Sequence, residues 1–157
     1  ELKEEKRYFF EFKGKIYNWT ARIPEQVKVI PIDYSLLKSN YKNVEEVRGW
    51  IDSFWRNYDD FQEKGIGYCL LKSNTVCSWS FSVYVSGSYC ELAVATIEEK
   101  RRQGYAKLVS AAATSDSIVS GFNPQWHCNK LNQASIAIAE KIGFKKDKEY
   151  TIIEMNF

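Results

Sequence analysis

Strict alternation of apolar and small polar residues in the middle of the chain limits the folds open to it. In the stretch SWSFSVYV, apolar Trp79, Phe81 and Val83 alternate with serines. This period of two predicts a β-strand with one apolar and one polar face. The turn signals KSNT and SGS separate this strand from IGYCLL before it and YCELAVAT after it. Residues 66–96 are therefore predicted to form a three-stranded antiparallel meander.

The other segments alternate between strand and helix patterns. RYFFEF and VKVIPI have the composition of short strands, and residues 44–62 carry apolar side chains at helical spacing. The aromatic face of that helix suits the core or the wall of a ligand cleft. After the meander come a helix over about residues 104–119, the strand QWHC, the helix NQASIAIAEKIGF closed by Gly143, and the strand YTIIEMNF. Strands joined through helices need parallel neighbours, so we predict an α/β (α+β) fold with a mixed, mostly antiparallel sheet of six or seven strands flanked by helices.

The stretch TIEEKRRQGYAKLVSAAA, residues 96–113, changes from charged to small and apolar where a helix is predicted to begin. The first N–H groups of a helix have no partner within it, and the positive end of its dipole lies there. Arg101 and Arg102 add charge, while Gly104 and Ala106 let a bulky group approach the backbone. The pattern predicts a phosphate or pyrophosphate site. A run of solvent-exposed charged residues that only caps a helix would show the same pattern. Neither G-x-x-x-x-G-K-[ST] nor G-x-G-x-x-G is present, so no motif supports a nucleoside triphosphate or a dinucleotide.

The overall charge argues against nucleic acid or a membrane as partner. The 22 basic and 20 acidic residues give a net charge of +2, which predicts neither kind of surface. Apolar runs are shorter than the roughly 20 residues that span a bilayer, and the opening ELKEEKRYFF lacks the apolar region of a signal peptide. We therefore expect a cytoplasmic protein whose residues 1–157 form one domain. Because the chain starts at Glu1 rather than methionine, we expect a further N-terminal segment in the full-length protein.

The cysteines and the single histidine do not form a metal-site pattern. Cys69, Cys77, Cys90 and Cys128 lie in predicted strands without C-x-x-C spacing, which is typical of reduced, buried thiols. His127 is the only histidine. We therefore expect no metal, and a Ser-His-Asp triad would depend on this one histidine.

Taken together, these segments resemble the GCN5-related N-acetyltransferase (GNAT) superfamily. The resemblance runs from about Gly65 to the end of the chain and is carried by GYCLL, YVSGSYCELAVAT, RRQGYA, WHC and NQASIAIAEKIGF. More narrowly, these motifs are similar to a bacterial branch known as GNAT acetyltransferases, in which an extra N-terminal segment precedes the catalytic domain. The resemblance implies the GNAT fold and an N-acetyltransferase that moves an acetyl group from acetyl-CoA to an amine.

The resemblance also implies where acetyl-CoA would bind. Its pantetheine arm would pair with the backbone at Val94, Ala95 and Thr96, and its pyrophosphate would contact main-chain amides of the loop and helix start. Asn132 would hydrogen-bond the pantetheine or cap the following helix, with Ser135 nearby. The implied cofactor-binding residues are Val94, Ala95, Thr96, Arg101, Arg102, Gln103, Gly104, Tyr105, Ala106, Asn132 and Ser135.

Direct acetyl transfer is the chemistry that the resemblance implies. The amine attacks the thioester carbonyl, a strand amide near Val94 stabilises the oxyanion, and the thiolate leaves after protonation. Glu91 and His127 are the candidate catalytic residues, and each is also compatible with a structural role. Many relatives carry a tyrosine that protonates the thiolate seven residues after the asparagine, where this chain has Ala139. We therefore expect solvent or another hydroxyl to assist the leaving group.

The sequence leaves several alternatives open. Tyr105, Tyr150 and Thr96 carry hydroxyls that stand as alternatives to the missing tyrosine. A non-catalytic acyl-CoA binding or sensing module would keep the phosphate loop without the acid and base, and a small α/β nucleotide-binding protein would be unrelated to acetyl transfer. The acceptor is open too, because the balanced charge fits small amines, aminoglycoside-like antibiotics, amino acids and protein N-termini.

Overall fold

A computed structural model of the chain describes residues 1–155 as seven strands and five α-helices. The strands are β1 (Leu2–Phe12), β2 (Val27–Pro31), β3 (Gly67–Lys72), β4 (Thr75–Ser86), β5 (Tyr89–Thr96), β6 (Asn123–Asn129) and β7 (Phe144–Met155). The helices are α1 (Tyr34–Leu37), α2 (Val44–Phe54), α3 (Tyr58–Lys64), α4 (Tyr105–Val119) and α5 (Gln133–Ile142). Short 3-10 turns at Thr20–Arg22 and Glu98–Lys100 precede β2 and α4.

The strands form one mixed sheet in the order β2-β3-β4-β5-β6-β1-β7. Neighbouring strands are antiparallel except β5 and β6, which pair in parallel from Tyr89 with Asn123 to Leu92 with Trp126. The connection between these two strands contains α4, as a crossover between parallel neighbours requires. The predicted α/β fold, with a mixed and mostly antiparallel sheet flanked by helices, is confirmed.

The predicted meander is confirmed as β3, β4 and β5. Ser73 and Asn74, with φ of 51° and 56°, turn β3 into β4, and Gly87, with φ of 58°, turns β4 into β5. The serine face of β4 is buried beneath α4, and Ser78 Oγ donates to the Ala95 carbonyl of β5 at 2.8 Å. Both faces of β4 therefore belong to the interior, and its small polar face lets α4 pack close to the sheet.

The single helix predicted over residues 44–62 is wrong, because the structure has two helices, α2 and α3. Trp55 has an extended backbone (φ −114°, ψ 145°), and its indole Nε1 donates to the Ser82 carbonyl at 2.8 Å. Asn57 then caps α3, since its side chain accepts from the Asp60 N–H at 2.8 Å. Asparagine favours such caps over helix interiors. The apolar spacing continues across the break because both helices pack on the same core cluster.

Helices cover both faces of the sheet, which we call the α2 face and the α4 face. The α2 face includes Phe81 and Ala93 and packs against α1, α2 and α3. The α4 face includes Leu92 and Trp126 and packs against α4 and α5. α4 presents the small buried residues Ala111, Ala112 and Ala113. The sheet is thus the middle of three layers, with a separate core on each side of it.

Both terminal strands are longer than predicted. β1 pairs with β7 from Leu2 with Met155 to Phe12 with Phe144, and it also pairs with β6 on its other edge. The first strand of the chain therefore lies inside the sheet. Asn156 and Phe157, the last residues of the predicted final strand, lie outside the described residues.

Candidate active site

The parallel strands β5 and β6 separate before β5 ends. They pair as far as Leu92 and Trp126, whereas β5 remains paired with β4 as far as Thr96 and Ser78. Over residues 93–96, β5 therefore has one edge without a neighbouring strand in the described part of the chain. A gap opens at this edge in the middle of the sheet.

Alternate residues of β5 present backbone groups to this gap. The Ile97 N–H donates to the Cys77 carbonyl of β4 at 3.0 Å. Because successive residues of a strand direct their N–H and C=O groups to opposite edges, Ala95 also faces β4, while Val94 and Thr96 face the gap. An extended ligand lying in the gap would meet these groups much as a strand would.

The start of α4 is built to leave N–H groups free. Arg102 and the N-cap residue Gly104 have positive φ, 64° and 76°. Leu108 makes a helical hydrogen bond back to the Gly104 carbonyl at 3.4 Å, so the N–H groups of residues 105–107 have no carbonyl within the helix. A Cβ on Gly104 would meet nothing within 4 Å, so glycine is needed there for its backbone conformation. Such a turn is suited to hold an anion.

The gap and the helix start meet in one cleft of about 710 Å³. It is lined by every predicted cofactor-binding residue except Gln103, namely Val94, Ala95, Thr96, Arg101, Arg102, Gly104, Tyr105, Ala106, Asn132 and Ser135. Gln103 lies in the same loop between two lining residues. The side chain of Tyr105 is only 4% exposed and belongs to the core cluster that contains Leu108, so the backbone is the part of Tyr105 open to a ligand.

Positive charge extends along the cleft. Its basic lining residues are Lys100, Arg101, Arg102, Lys107 and Lys141, and no acidic residue of the described chain belongs to the lining. The three lysines went unrecognised in the sequence. Lys107 had a local signal, since it falls in the first turn of the predicted helix, whereas Lys141 is brought in only by the packing of α5. Several cations on one concave surface favour a ligand with more than one phosphate.

Asn132 caps α5 and also lines the cleft. Its side-chain carbonyl accepts from the Ser135 N–H at 3.1 Å, which is the capping role that the sequence left open. Within residues 1–155 the two donors of the Asn132 amide nitrogen make no hydrogen bond, so they are available to a ligand. Ser135 Oγ accepts from the Trp126 indole Nε1 at 3.0 Å, which fixes the start of α5 to β6.

Trp50 of α2 lines the cleft as well. Its ring packs edge-on against Trp79 and Phe81, with centroid separations of 5.8 and 6.2 Å. The aromatic side of α2 therefore serves both of the purposes that the sequence suggested, as core along most of its length and as cleft wall at Trp50.

Ala139 does not line the cleft. It is 0% exposed and belongs to the same core cluster as Trp126 and Phe144. A tyrosine placed here would have to overpack a filled core, which is destabilising. The proton for a leaving thiolate therefore has to come from a group other than residue 139.

Glu91 and His127 both lie on the α2 face of the sheet. Ala93 packs on this face, and Glu91, two residues earlier in β5, follows the same alternation. Trp126 and Cys128 are buried on the α4 face, so His127 between them lies on the opposite one. The two predicted catalytic residues are thus on the same side of neighbouring strands.

Arg7 and Tyr150 join them on this face. They are cross-strand partners on β1 and β7, and the Tyr150 hydroxyl lies 3.3 Å from Arg7 Nε and 2.8 Å from His127 Nδ1. Glu5 forms an ion pair with Arg7. Sequence reasoning missed Arg7 and considered Tyr150 only as a source of a hydroxyl. No local signal identifies this pair, since the first and last strands meet only in the folded sheet.

Burial and charge shift the two candidate bases in opposite directions. Burial raises the pKa of the Glu91 carboxyl, and the positive charge of Arg7 opposes that rise. Burial lowers the pKa of His127, and the charges of Arg7 and Lys148 lower it further. The imidazole is therefore held in its neutral form, while the carboxyl binds its proton more tightly than an ordinary glutamate does.

The four cysteines are unpaired and buried, as predicted. Burial raises the pKa of the thiols of Cys69, Cys77, Cys90 and Cys128. Since the thiolate is the reactive form, these side chains are poor nucleophiles.

Residues 1–155 contain no group of three or more His, Cys, Asp or Glu placed to hold a metal ion. Within the same residues, no helix combines the length and the apolar content needed to cross a membrane.

Known proteins match this chain in sequence and in fold. The family model described as GNAT acetyltransferase matches residues 1–153. YdfB, an uncharacterised N-acetyltransferase of Bacillus subtilis (strain 168), is 28% identical over 152 residues, which make up 97% of this chain and 57% of YdfB.

Two solved structures extend this similarity to the fold. A GCN5-related N-acetyltransferase-like protein from Streptococcus suis 89/1591 has a TM-score of 0.79 at 22% identity, over 98% of this chain and 62% of that protein. A GCN5-related N-acetyltransferase from Kribbella flavida has a TM-score of 0.66 at 15% identity, over 97% of this chain and 58% of that protein. At these identities the structures show the fold alone. The chain spans about three fifths of the length of these relatives.

Proposed function

Because the chain belongs to the GNAT acetyltransferase family, we propose that it transfers an acetyl group from acetyl-CoA to an amine. The observation that carries the proposal is the cleft, in which the free edge of β5, the N–H groups at the start of α4 and several basic side chains meet. Acetyl-CoA has a matching form, since an amide-containing arm leads from the thioester to a set of phosphates.

The chain's own groups divide the work of holding acetyl-CoA. Val94 and Thr96 would pair with the amides of the pantetheine arm through the backbone groups that face the gap. The N–H groups of residues 105–107 would donate to the pyrophosphate, and the basic side chains of the cleft would neutralise its charge. Asn132 would donate to the arm from its free amide nitrogen.

Direct transfer needs a neutral amine, a stabilised oxyanion and a proton for the sulfur. The amine nitrogen bonds to the acetyl carbon, the C–S bond breaks, and the proton lost by the amine passes to a base. The Val94 N–H is suited to donate to the oxyanion, because it faces the gap. Glu91 and His127 are the candidates for the base. Solvent can protonate the sulfur, since a thiol with a pKa of about 8.5 is a fair leaving group.

The acceptor would approach from the α2 face, where Glu91 and His127 lie. A small-molecule or peptide amine fits a site of this kind, whose polar groups are half-buried. We also propose that residues 1–157 act as one catalytic domain. A cytoplasmic location suits four unpaired thiols, which persist in a reducing compartment.

Calorimetric titration followed by a thiol-release assay tests the proposal. We expect CoA to bind more tightly than ATP. With a suitable amine present, we also expect the enzyme to release thiol from acetyl-CoA faster than the uncatalysed reaction does. Tighter binding of ATP would instead indicate a nucleotide-binding protein. Binding of CoA with no release above the uncatalysed rate, at high acetyl-CoA and over a broad amine panel, would indicate a non-catalytic acyl-CoA module.

A further inference from the structure

The hydroxyl of Tyr150 bridges two groups whose hydrogen-bonding roles differ. Arg7 Nε carries a hydrogen and no lone pair, so it can only donate, and the Tyr150 oxygen 3.3 Å away must accept. Glu5 holds the same guanidinium by an ion pair, and Arg7 is half-buried. The acceptor side of the Tyr150 hydroxyl is therefore used by a fixed cation.

The same hydroxyl has one proton left to give. His127 Nδ1 lies 2.8 Å from the Tyr150 oxygen, and it is the other partner of this hydroxyl within residues 1–155. The pair is satisfied when Tyr150 donates and Nδ1 accepts with its lone pair. A neutral imidazole that accepts at Nδ1 carries its proton on Nε2.

The surrounding charges favour this neutral form. Arg7 on β1 and Lys148 on β7 place positive charge near the ring. The acidic groups on the same face include Glu91 on β5 and Glu5 on β1, and Glu5 is paired with Arg7. The ring also packs on Phe9, with centroids 4.9 Å apart, which removes water from one side of it. Protonation of Nδ1 would direct a second cationic N–H at the oxygen that already accepts from Arg7.

We propose that Arg7 and Tyr150 are positioning residues that hold His127 as the neutral ring protonated at Nε2. In this state Nδ1 is occupied and Nε2 has no lone pair, so His127 can donate a hydrogen bond from Nε2 but is not the base. Glu91 is then the residue that takes the proton of the amine. This reading of the roles rests on the proposed acetyl transfer, but the position of the proton on His127 does not.

Nitrogen NMR of protein labelled with ¹⁵N-histidine tests the proposal directly. Because His127 is the only histidine, each ring nitrogen gives a single resonance. At neutral pH we expect a protonated Nε2 and an unprotonated, hydrogen-bonded Nδ1. A proton on Nδ1 would overturn the inference, because the ring would then donate to Tyr150 and keep a free lone pair for use as a base.

Two variants test whether Tyr150 and Arg7 are responsible. Tyr150→Phe removes the donor, so the Nδ1 resonance should move and the pKa of His127 should rise; Arg7→Met should raise that pKa by removing a charge. Tyr34→Phe, which removes a hydroxyl on α1, is the matched control and should leave both nitrogens as in wild type. Spectra of Tyr150→Phe identical to wild type would reject the role of Tyr150. The NMR samples contain no acetyl-CoA, so the spectra do not depend on enzymatic activity. A wrong tautomer is therefore detected separately from a failure of the proposed acetyl transfer.

Discussion

Glu91 and His127 show how two titratable side chains on one sheet face acquire different uses. Burial acts on both, but it raises the pKa of an acid and lowers that of a base, so their proton affinities are brought closer together. Arg7 acts on both as well and favours the carboxylate over the carboxylic acid while disfavouring the imidazolium. The face therefore combines a carboxyl whose pKa is raised with an imidazole whose pKa is lowered and which is uncharged at neutral pH.

Replacing Glu91 by glutamine should remove the proposed base while keeping the size of the side chain. We expect kcat to fall by about 10² to 10⁴-fold, the usual contribution of a general base. In wild type, kcat/KM should fall as the pH drops through the raised pKa of Glu91, and this acidic limb should be missing from the residual activity of the variant. Steady-state kinetics across pH measure both effects, and an unchanged acidic limb would assign it to another group.

The same Glu91→Gln variant should change stability in the opposite direction from activity. A carboxyl with a raised pKa binds its proton more tightly in the folded protein than in the unfolded chain. Folding stability is therefore lost as pH rises from the ordinary glutamate pKa through the raised one, and the variant should not show this loss. Thermal unfolding at acid and neutral pH should find the variant relatively more stable at neutral pH.

Gly104→Val tests the backbone of the anion site. A β-branched residue at φ 76° is strained by about 1 to 3 kcal/mol, so the loop should change conformation and CoA affinity should fall about tenfold or more. Gly87→Val is the matched control, since Gly87 also has positive φ and open space around it but lies in the β4–β5 turn. Arg102→Ala should weaken binding only about threefold, as loss of one exposed charge does. If calorimetry gives Gly104→Val the same CoA affinity as wild type, the start of α4 is not the anion site of the cleft.

At the scale of elements, prediction succeeded where the signal is local. The alternation in β4, the turn at Gly87 and the cap at Gly143 each depend on a few adjacent residues. The loop at residues 101–106 likewise indicates the start of α4. The break between α2 and α3 is not local, because it depends on the Trp55 indole reaching Ser82 of β4.

Within the candidate site the same division holds. The loop that precedes α4 was predicted from adjacent residues, and the free strand edge was expected only from the family resemblance. Trp50 and Lys141 enter the cleft through the packing of helices from elsewhere in the chain. Arg7 and Tyr150 meet across strands that are far apart in sequence. Periodicity carries no information on such pairs.

Asn57→Ala should weaken the start of α3. Loss of the side-chain cap on the Asp60 N–H should cost about 1 kcal/mol of unfolding free energy. Ser53→Ala in the exposed part of α2 is the control, and it should be close to neutral because alanine compensates as a better helix former. Urea unfolding monitored by tryptophan fluorescence compares the two, and equal midpoints for Asn57→Ala and wild type would show that the cap contributes nothing.

At the scale of the whole molecule, the thiols report whether the interior stays closed. All four cysteines are buried with raised thiol pKa, so a disulfide reagent should label none of them quickly in the native protein and all four in urea. Mass spectrometry after incubation with acetyl-CoA should find no covalent acetyl group, and Cys128→Ser should keep most of the activity. A stoichiometric thioester on Cys128 would replace direct transfer by an acyl-enzyme mechanism.

Among the seven strands of this sheet, the ribosome makes β1 first and its two neighbours in the sheet last. The nascent chain can close the hairpins β3–β4 and β4–β5 early, but β1 must wait for residues 123–155 before either of its edges is paired. During that interval Phe9 and Phe10, which are buried at the end, lie on an unpaired strand of the kind that promotes aggregation. Closing so large a loop also costs conformational entropy, and this cost slows folding. The half of the sheet that carries Arg7, His127 and Tyr150 is therefore assembled only after β6 and β7 have been synthesised.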